Sequence, residues 1–461
     1  MKKVDFCFFV TETFVDAHRK VLIAKEMENR GYSTFFITTS DAGDAVFKAA
    51  GLNNFVNLDV LCDEIKDPAY TPEDIAKVEE SFSILNLRAE ILTELLVFKF
   101  KKEEEVLALF MRYLKALKKL LEESLQATYF VQGMSGSLNS FAFYHAAKRV
   151  GKHVYFSGSP FSGLFHFSFH HWGIFEINGE KIKQGISSEE RAWTEDFLSK
   201  MKKERKPNLP MSQMQANPYI TGDRIKTFFR LLKTSRAEHL PLFFLLKNFG
   251  KRYLRRYYVR KFYQAPIAGE KYIYFPLHFP DDSQLTVRGL PFITQEFVVE
   301  IISRHLPSGY TLYVKEHPAS MGYFSVKMLR YLAKLPNVKI VSPLLNSYDL
   351  IENARAVCVI NSTVGFEALM FPKPVITFGA SFYRDKGVTL DVHDLYELPE
   401  IMRKALTFQP DWERILILFY LWHKNSFPPA PQETLYTDSK PDSSKISIFC
   451  DSLLGYLETE R

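Results

Sequence analysis

Thr311-Leu-Tyr-Val-Lys-Glu-His-Pro318 and, further along the chain, Asn361-Ser-Thr-Val-Gly-Phe-Glu-Ala368 decide the fold. The first stretch reads as a strand that delivers Lys315 and His317 at its C-terminal end. Alternate strand residues share a face, so the two belong together. The second reads as the end of a strand, a turn bearing Ser362 and Thr363, and the start of a helix. Strand C-termini line the ligand crevice of an open α/β sheet. The first amide N–H groups of a helix have no intrahelical partner, which makes its start a ready anion site. The two stretches together predict a site for a phosphorylated ligand, a sugar nucleotide first.

The surrounding sequence repeats this pattern. Strands are expected at 271–277, 311–315, 338–341, 356–360 and 374–378, with helices at 294–306, 347–353 and 363–371. Short, mostly unbroken apolar strands alternating with helices describe a doubly wound parallel sheet. The N-terminus opens the same way. A strand over 4–10 leads to a helix over 17–30 that stops at Gly31, then to a strand over 33–38. A strand at 129–132, the turn Gly133-Met-Ser-Gly-Ser-Leu-Asn139, a helix over 141–150 and a strand over 153–156 form a second unit. The turn does not fit the dinucleotide fingerprint. Residues 72–125 read as helical, and Ile446 to Leu457 as a last helix.

The fold class is therefore α/β, with two Rossmann-like doubly wound parallel-sheet domains facing a central cleft. The expected boundaries are 1–160 for an N-terminal acceptor domain and 161–265 for a helical, basic linker or insertion. A C-terminal nucleotide-sugar domain follows over 266–440, and a terminal helix over 441–461. A length of 461 residues fits such a division.

Composition excludes some classes. With 46% hydrophobic and 24% charged residues the chain is globular rather than disordered. Cys7, Cys62, Cys358 and Cys450 form no C-x-x-C pair and complete no zinc spacing, so they read as buried apolar residues of a reducing compartment. The apolar run after Met1-Lys-Lys3 is too short for a signal peptide. No stretch approaches the ~20 apolar residues of a membrane span. A cytoplasmic location is expected, with peripheral contact to the inner face of the cell membrane.

Phe161 to Trp172, FSGLFHFSFHHW, sets histidines among aromatics without the carboxylate or thiol partners of a metal site. Packing, structural or in an acceptor cleft, explains it better than ligation. Residues 179–215 are polar and read as a surface excursion. From Lys247 to Lys261 bases alternate with aromatics. An amphipathic helix with a solvated basic face explains this as well as contact with an anionic membrane surface does. Nucleic acid is disfavoured, since no RNA-binding motif accompanies the stretch.

Phe275-Pro-Leu-His278, Lys315-Glu-His-Pro318 and Asn361-Ser-Thr-Val-Gly-Phe-Glu-Ala-Leu369 together resemble the C-terminal half of the capsular polysaccharide biosynthesis family. That family includes the Kdo transferases of bacterial capsule assembly. The His-Pro and Ser-Thr pairs are also similar to motifs of GT-B sialyltransferases that bind the phosphate of a CMP-sugar. The likeness covers about residues 270 to 380; the N-terminal half matches in layout only. It implies the GT-B architecture and a glycosyltransferase that takes a nucleotide-activated sugar, CMP-Kdo or a similar acid sugar first, to a glycan or glycolipid acceptor. It also implies that Lys315, His317, Ser362, Thr363 and Glu367 hold the nucleotide. His317 and the Ser362 and Thr363 hydroxyls and amides would offset charge on the leaving phosphate, and Lys315 would add a positive field. Glu367, expected in the first helical turn, would accept from ribose hydroxyls. No metal or cofactor is required.

A general base is harder to find. In related Kdo transferases an acidic pair before a glycine supplies it, whereas the comparable place here reads Tyr155-Phe-Ser-Gly-Ser-Pro160, with no carboxylate. Glu12, after the first strand, is the substitute candidate, with Asp16, His18 and His166 in reserve. Two alternatives share the fold: a UDP-sugar 2-epimerase-like enzyme, and a non-catalytic capsule assembly or export protein.

Overall fold

Parallel strands and crossover helices run through both halves of the chain. The computed structural model describes residues 1–10, 14–65, 71–97, 101–133, 135–158, 164–169, 177, 179–205, 242–280, 282–427 and 443–459. The chain divides into two compact units, Met1–Glu176 with Ser426–Arg461, and Ile177–Asn425.

In the first unit the strands are β1 (Lys2–Phe9), β2 (Thr34–Thr38), β3 (Phe55–Asn57), β4 (Leu125–Gly133), β5 (Lys152–Gly158) and β6 (Phe165–Ser168). They lie in the order β3-β2-β1-β4-β5-β6. All neighbours pair in parallel except β6, which runs antiparallel to β5. Phe8 faces Phe36 and Val131 across the central strands. Phe6, Phe8, Val131 and Val154 bury one face of the sheet against the Phe14–Asn29 helix. The direction of strand addition reverses between β1 and β4, so the turn after β4 stands at a topological switch point.

The C-terminal helix, Ser443–Thr459, completes this first core. Its Phe449 stacks among Phe156, Phe165 and Phe167. Asp451 pairs with Arg30 at 2.5 Å. Of the 161–172 stretch, Phe165 and Phe167 have a packing role, buried beneath the last helix.

In the second unit the strands are β7 (Tyr263–Gln264), β8 (Tyr272–Pro276), β9 (Thr311–Lys315), β10 (Val338–Val341), β11 (Ala356–Val359), β12 (Val375–Thr377) and β13 (Leu390–Asp391). They form a parallel sheet in the order β13-β12-β11-β8-β9-β10-β7. Strands β8, β11 and β12 are buried on both sides, hence their unbroken apolar runs. The chain adds β9 and β10 on one side of β8, then crosses to add β11, β12 and β13 on the other. The switch point lies between β8 and β11.

The polar stretch read as a surface excursion is helical where it is described. Gly179–Gln184 and Ser188–Glu204 are helices, and Ser187 and Glu190 close a capping box at the start of the second. Only Thr194 and Leu198 of that second helix are buried. So narrow an apolar stripe leaves the sequence looking like a solvated loop. Trp193 lies against His423 with ring centroids 4.3 Å apart. His423 belongs to Trp412–Lys424, a buried helix that the sequence reading omitted.

Candidate functional site

The switch point of the second unit gathers the ends of β11, β8 and β9. Pro276 is in register with Lys315, and the Leu277 N–H donates to the Lys315 carbonyl at 2.8 Å. That bond carries His278 past the end of β8 beside the end of β9. Gln295 fixes the turn: it accepts from the His278 N–H at 2.7 Å and donates to the His278 carbonyl at 3.1 Å. On the other side of β8, Asn361 follows β11, and its Nδ2 donates to the Gln284 carbonyl at 2.6 Å.

Ser362 caps the helix Thr363–Met370, its Oγ accepting from the Val364 N–H at 3.2 Å. Thr363 is the first helical residue, so its N–H finds no acceptor within the helix. The Tyr383 hydroxyl secures the turn from below through a 2.5 Å bond to the Ser362 carbonyl. A Cβ at Gly365 would lie 2.5 Å from that hydroxyl, so glycine leaves room for the contact.

Two charge sets meet at this edge. His278 and His317 lie close enough to influence one another, with Asp282 nearby. Burial holds the His317 imidazole down at about 4, with Lys315 adding to the effect. His278 is likewise held below its ordinary value, chiefly by burial. Both rings are neutral hydrogen-bonding groups at neutral pH. Lys315 is buried and donates to Ser347 Oγ at 2.9 Å. Burial lowers its ammonium to about 8 against the pull of Glu367. Glu367, 7% exposed, is raised to about 7 by burial and drawn back by Lys315.

Several buried polar atoms here have no hydrogen-bond partner among the described residues: His278 Nε2, Asn361 Oδ1 and the Tyr348 hydroxyl. An unmade buried hydrogen bond costs roughly 1–3 kcal/mol. Such atoms gathered at a strand edge are capacity that a ligand can use.

Residues 254–407, which contain this whole constellation, match the family described as "Capsule polysaccharide biosynthesis protein". The likeness to that family lies in this segment. Protein FixF of Sinorhizobium fredii is 30% identical over 181 residues, 37% of this chain and 43% of that protein. The capsule polysaccharide export protein KpsS of Escherichia coli is 24% identical over 224 residues, 43% of this chain and 56% of that protein. The chain therefore spans about half the length of these relatives. Among solved structures, the KpsC beta Kdo 2,7 transferase of Thermosulfurimonas dismutans is 14% identical. It covers 74% of this chain and 89% of its own, with a TM-score of 0.36.

Within this second-unit segment the expected residues divide. His317, Ser362 and Thr363 stand at the strand ends and the helix start. Lys315 and Glu367 lie beneath them, near Tyr274 and Tyr348. Glu367 is the fifth helical residue rather than a member of the first turn, because Ser362 is the cap. Glu12 lies outside the described residues. Of the reserves, Asp16 is buried in an ion pair with Arg19, His18 is exposed and His166 is buried in β6. The sequence reading assigned no role to His278, Asn361, Gln295, Tyr348 or Tyr383. His278 and Asn361 stood inside quoted motifs, and adjacency to a strand end was the available signal. Nothing local marked Tyr383, which reaches the site from beyond β12.

Proposed function

We propose that the chain is a GT-B-type glycosyltransferase of surface polysaccharide assembly that draws on a nucleotide-activated sugar, a CMP-sugar first. The observation that carries this reading is the Thr363 helix start after β11 and His317 after β9, with the unpartnered His278 Nε2 after β8 between them, at the switch point of the second unit. In the proposed reaction an acceptor hydroxyl attacks the anomeric carbon as the bond to the nucleotide phosphate breaks. The departing phosphate accepts from the Thr363 N–H, the Ser362 hydroxyl and the His317 ring. Such placed donors favour charge that develops in the transition state. Lys315 supplies a positive field from below, and Glu367 meets the ribose hydroxyls. Glu12 takes the acceptor proton. No step calls for a metal.

Thermal shift with CMP, UDP, GDP and their sugars tests the reading. CMP and CMP-sugars are expected to stabilise most. Stabilisation by UDP-N-acetylglucosamine with formation of its 2-epimer would replace transfer with epimerisation. A second reading, an assembly protein without catalysis, is favoured by the lack of a carboxylate in Tyr155–Pro160. Sugar transfer or hydrolysis that falls ~10²-fold in Glu12→Gln, with donor affinity kept, would exclude it.

The proposal includes work on the inner face of a membrane. Leu254, Tyr257 and Tyr258 are 74%, 80% and 41% exposed on the Leu242–Val259 helix. Their spacing puts them on one face. Lys251, Arg255, Arg260 and Lys261 flank them. Arg256, expected among the lipid-facing bases, is buried instead, with its Nε donating to the Met321 carbonyl at 2.9 Å. Arg252 stacks on Tyr323, 3.8 Å from the ring centroid. No helix among the described residues is long and apolar enough to cross a membrane.

A further inference from the structure

A cavity of about 580 Å³ opens in the second unit, lined by Ser199, Lys202, Lys203, Arg205, Glu352, Phe371, Pro372 and Lys373. Phe371–Lys373 leave the C-terminal end of the Thr363–Met370 helix and lead into β12. Glu352 lies in the Ser347–Asn353 helix, just before β11. The cavity therefore sits at the N-terminal edge of the sheet, whereas His317 and Ser362 sit at the C-terminal edge. An eight-residue helix, about 12 Å at ~1.5 Å per residue, separates the two places.

The cavity carries an unbalanced charge. Arg205 ends the Ser188–Glu204 helix and holds both nearby carboxylates, Asp349 and Glu352. That leaves the Lys202, Lys203 and Lys373 ammonium groups, none of which makes an ion pair or a side-chain hydrogen bond among the described residues. Lys202 lies over the rings of Phe371 and Trp412, 5.6 and 5.2 Å from their centroids. Burial depresses the Lys202 and Lys373 ammoniums, and Arg355 depresses Lys373 further, while Glu352 draws both part of the way back. The C-terminal carbonyls of the Ser188–Glu204, Ser347–Asn353 and Thr363–Met370 helices supply about half a negative charge each. That is less than three ammonium groups require.

We propose that this cavity binds an acidic sugar, whose carboxylates meet Lys202, Lys203 and Lys373 while its ring C–H face rests on Phe371 and Pro372. The volume falls within the ~300–1,000 Å³ of small-ligand sites. Apolar floor and cationic rim together select against a neutral sugar, which leaves the ammoniums unpaired, and against a bare inorganic anion, which leaves the floor unused.

Calorimetry on the whole chain tests this, with trigalacturonate as probe and maltotriose and pyrophosphate as comparisons. Trigalacturonate is expected to bind and maltotriose not to. Affinity should fall ~10-fold or more in Lys202→Met/Lys373→Met and weaken with salt. His317→Ala should leave it unchanged, which separates this site from the nucleotide site. The double variant should melt near the parent temperature, because methionine keeps the packing over Phe371 and Trp412 and no ion pair or hydrogen bond among the described residues is lost. Lys203→Glu, at an exposed position, provides a second variant and should also weaken binding. The proposal fails if trigalacturonate does not bind, if binding survives the double variant, if it disappears with His317→Ala, or if pyrophosphate binds and trigalacturonate does not.

Discussion

The Tyr383 hydroxyl donates to the Ser362 carbonyl at 2.5 Å, through space that a side chain at residue 365 would fill. Gly365→Ala sets a methyl group against that hydroxyl and against the ring carbon behind it, 2.9 Å away. Forcing such contacts costs ~1–3 kcal/mol. Urea unfolding should show that loss, and nucleotide affinity should fall with it because the Ser362 turn moves. Introduced into Tyr383→Phe, the same substitution should cost less, since part of the clash is gone. Equal costs in both backgrounds would detach Gly365 from Tyr383.

His317→Ala should weaken nucleotide binding by about 1.5–3 kcal/mol, the range for a hydrogen bond to a charged group, and leave the melting temperature near that of the parent. Ser362→Ala should lower both, since it also removes a helix cap worth ~0.5–2 kcal/mol. Calorimetry beside thermal melting separates the two effects. Unchanged affinity in both variants would remove these residues from the nucleotide site.

Glu316 gives a pH dependence with a definite sign. Its carboxyl is fully buried, Oε1 accepts from the Tyr263 hydroxyl at 2.8 Å, and Oε2 has no partner among the described residues. Burial raises it from 4.5 to about 7. The folded state therefore holds a proton that the unfolded state has released between those values. Stability from this group is complete below 4.5 and is lost as pH rises through 7. Glu316→Gln should stabilise the protein by ~1–3 kcal/mol at pH 8, with the gain fading at pH 4. Urea midpoints at both pH values check this; a gain independent of pH would contradict it.

The histidines act in the opposite direction. His153 is buried with both ring nitrogens unpartnered among the described residues and is held at about 3, and His317 is held at about 4, in each case mainly by burial. The unfolded chain takes up these protons first as pH falls below 6.5, so this stability is present at neutral pH and lost toward 4. His153→Phe should leave an apolar ring in an apolar site and reduce acid sensitivity, measured as the slope of melting temperature between pH 6.5 and 4.5. An unchanged slope would mean that His153 takes no part in it.

Leu254→Ser/Tyr257→Ser should abolish co-sedimentation with anionic vesicles and leave the fold intact, because both side chains are exposed. Each lost basic contact near the surface is worth ~1 kcal/mol, and screening over ~8–10 Å makes the binding salt-sensitive. Arg256→Met should act differently and destabilise the second unit, since that side chain holds the Met321 carbonyl. Equal, negligible binding of the parent chain to anionic and neutral vesicles at low salt would leave only a solvated basic helix.

The sequence by itself determined the strands and the motif ends. Parallel strands buried on both faces must be apolar throughout, so β8, β9, β10 and β11 stood out as runs, and the residues just after β9 and β11 followed from them. The helix start after the Ser362 turn was legible too, whereas the cap at Ser362, which makes Glu367 the fifth helical residue, was not. Tertiary structure decided what depends on neighbours distant in the chain. The Ser443–Thr459 helix closes the first core, far in sequence from β1. The Ser188–Glu204 helix buries too narrow a stripe to be read from its pattern. Lys315 and Glu367 share an interior with Ser347 and Tyr348, and only strand order puts them there. Arg256 and Arg255 are adjacent bases in the sequence, yet one anchors a carbonyl and the other remains half exposed. Periodicity sets which face of an element is apolar. Which element covers that face, and which charges are thereby removed from water, depends on long-range packing that no local pattern contains.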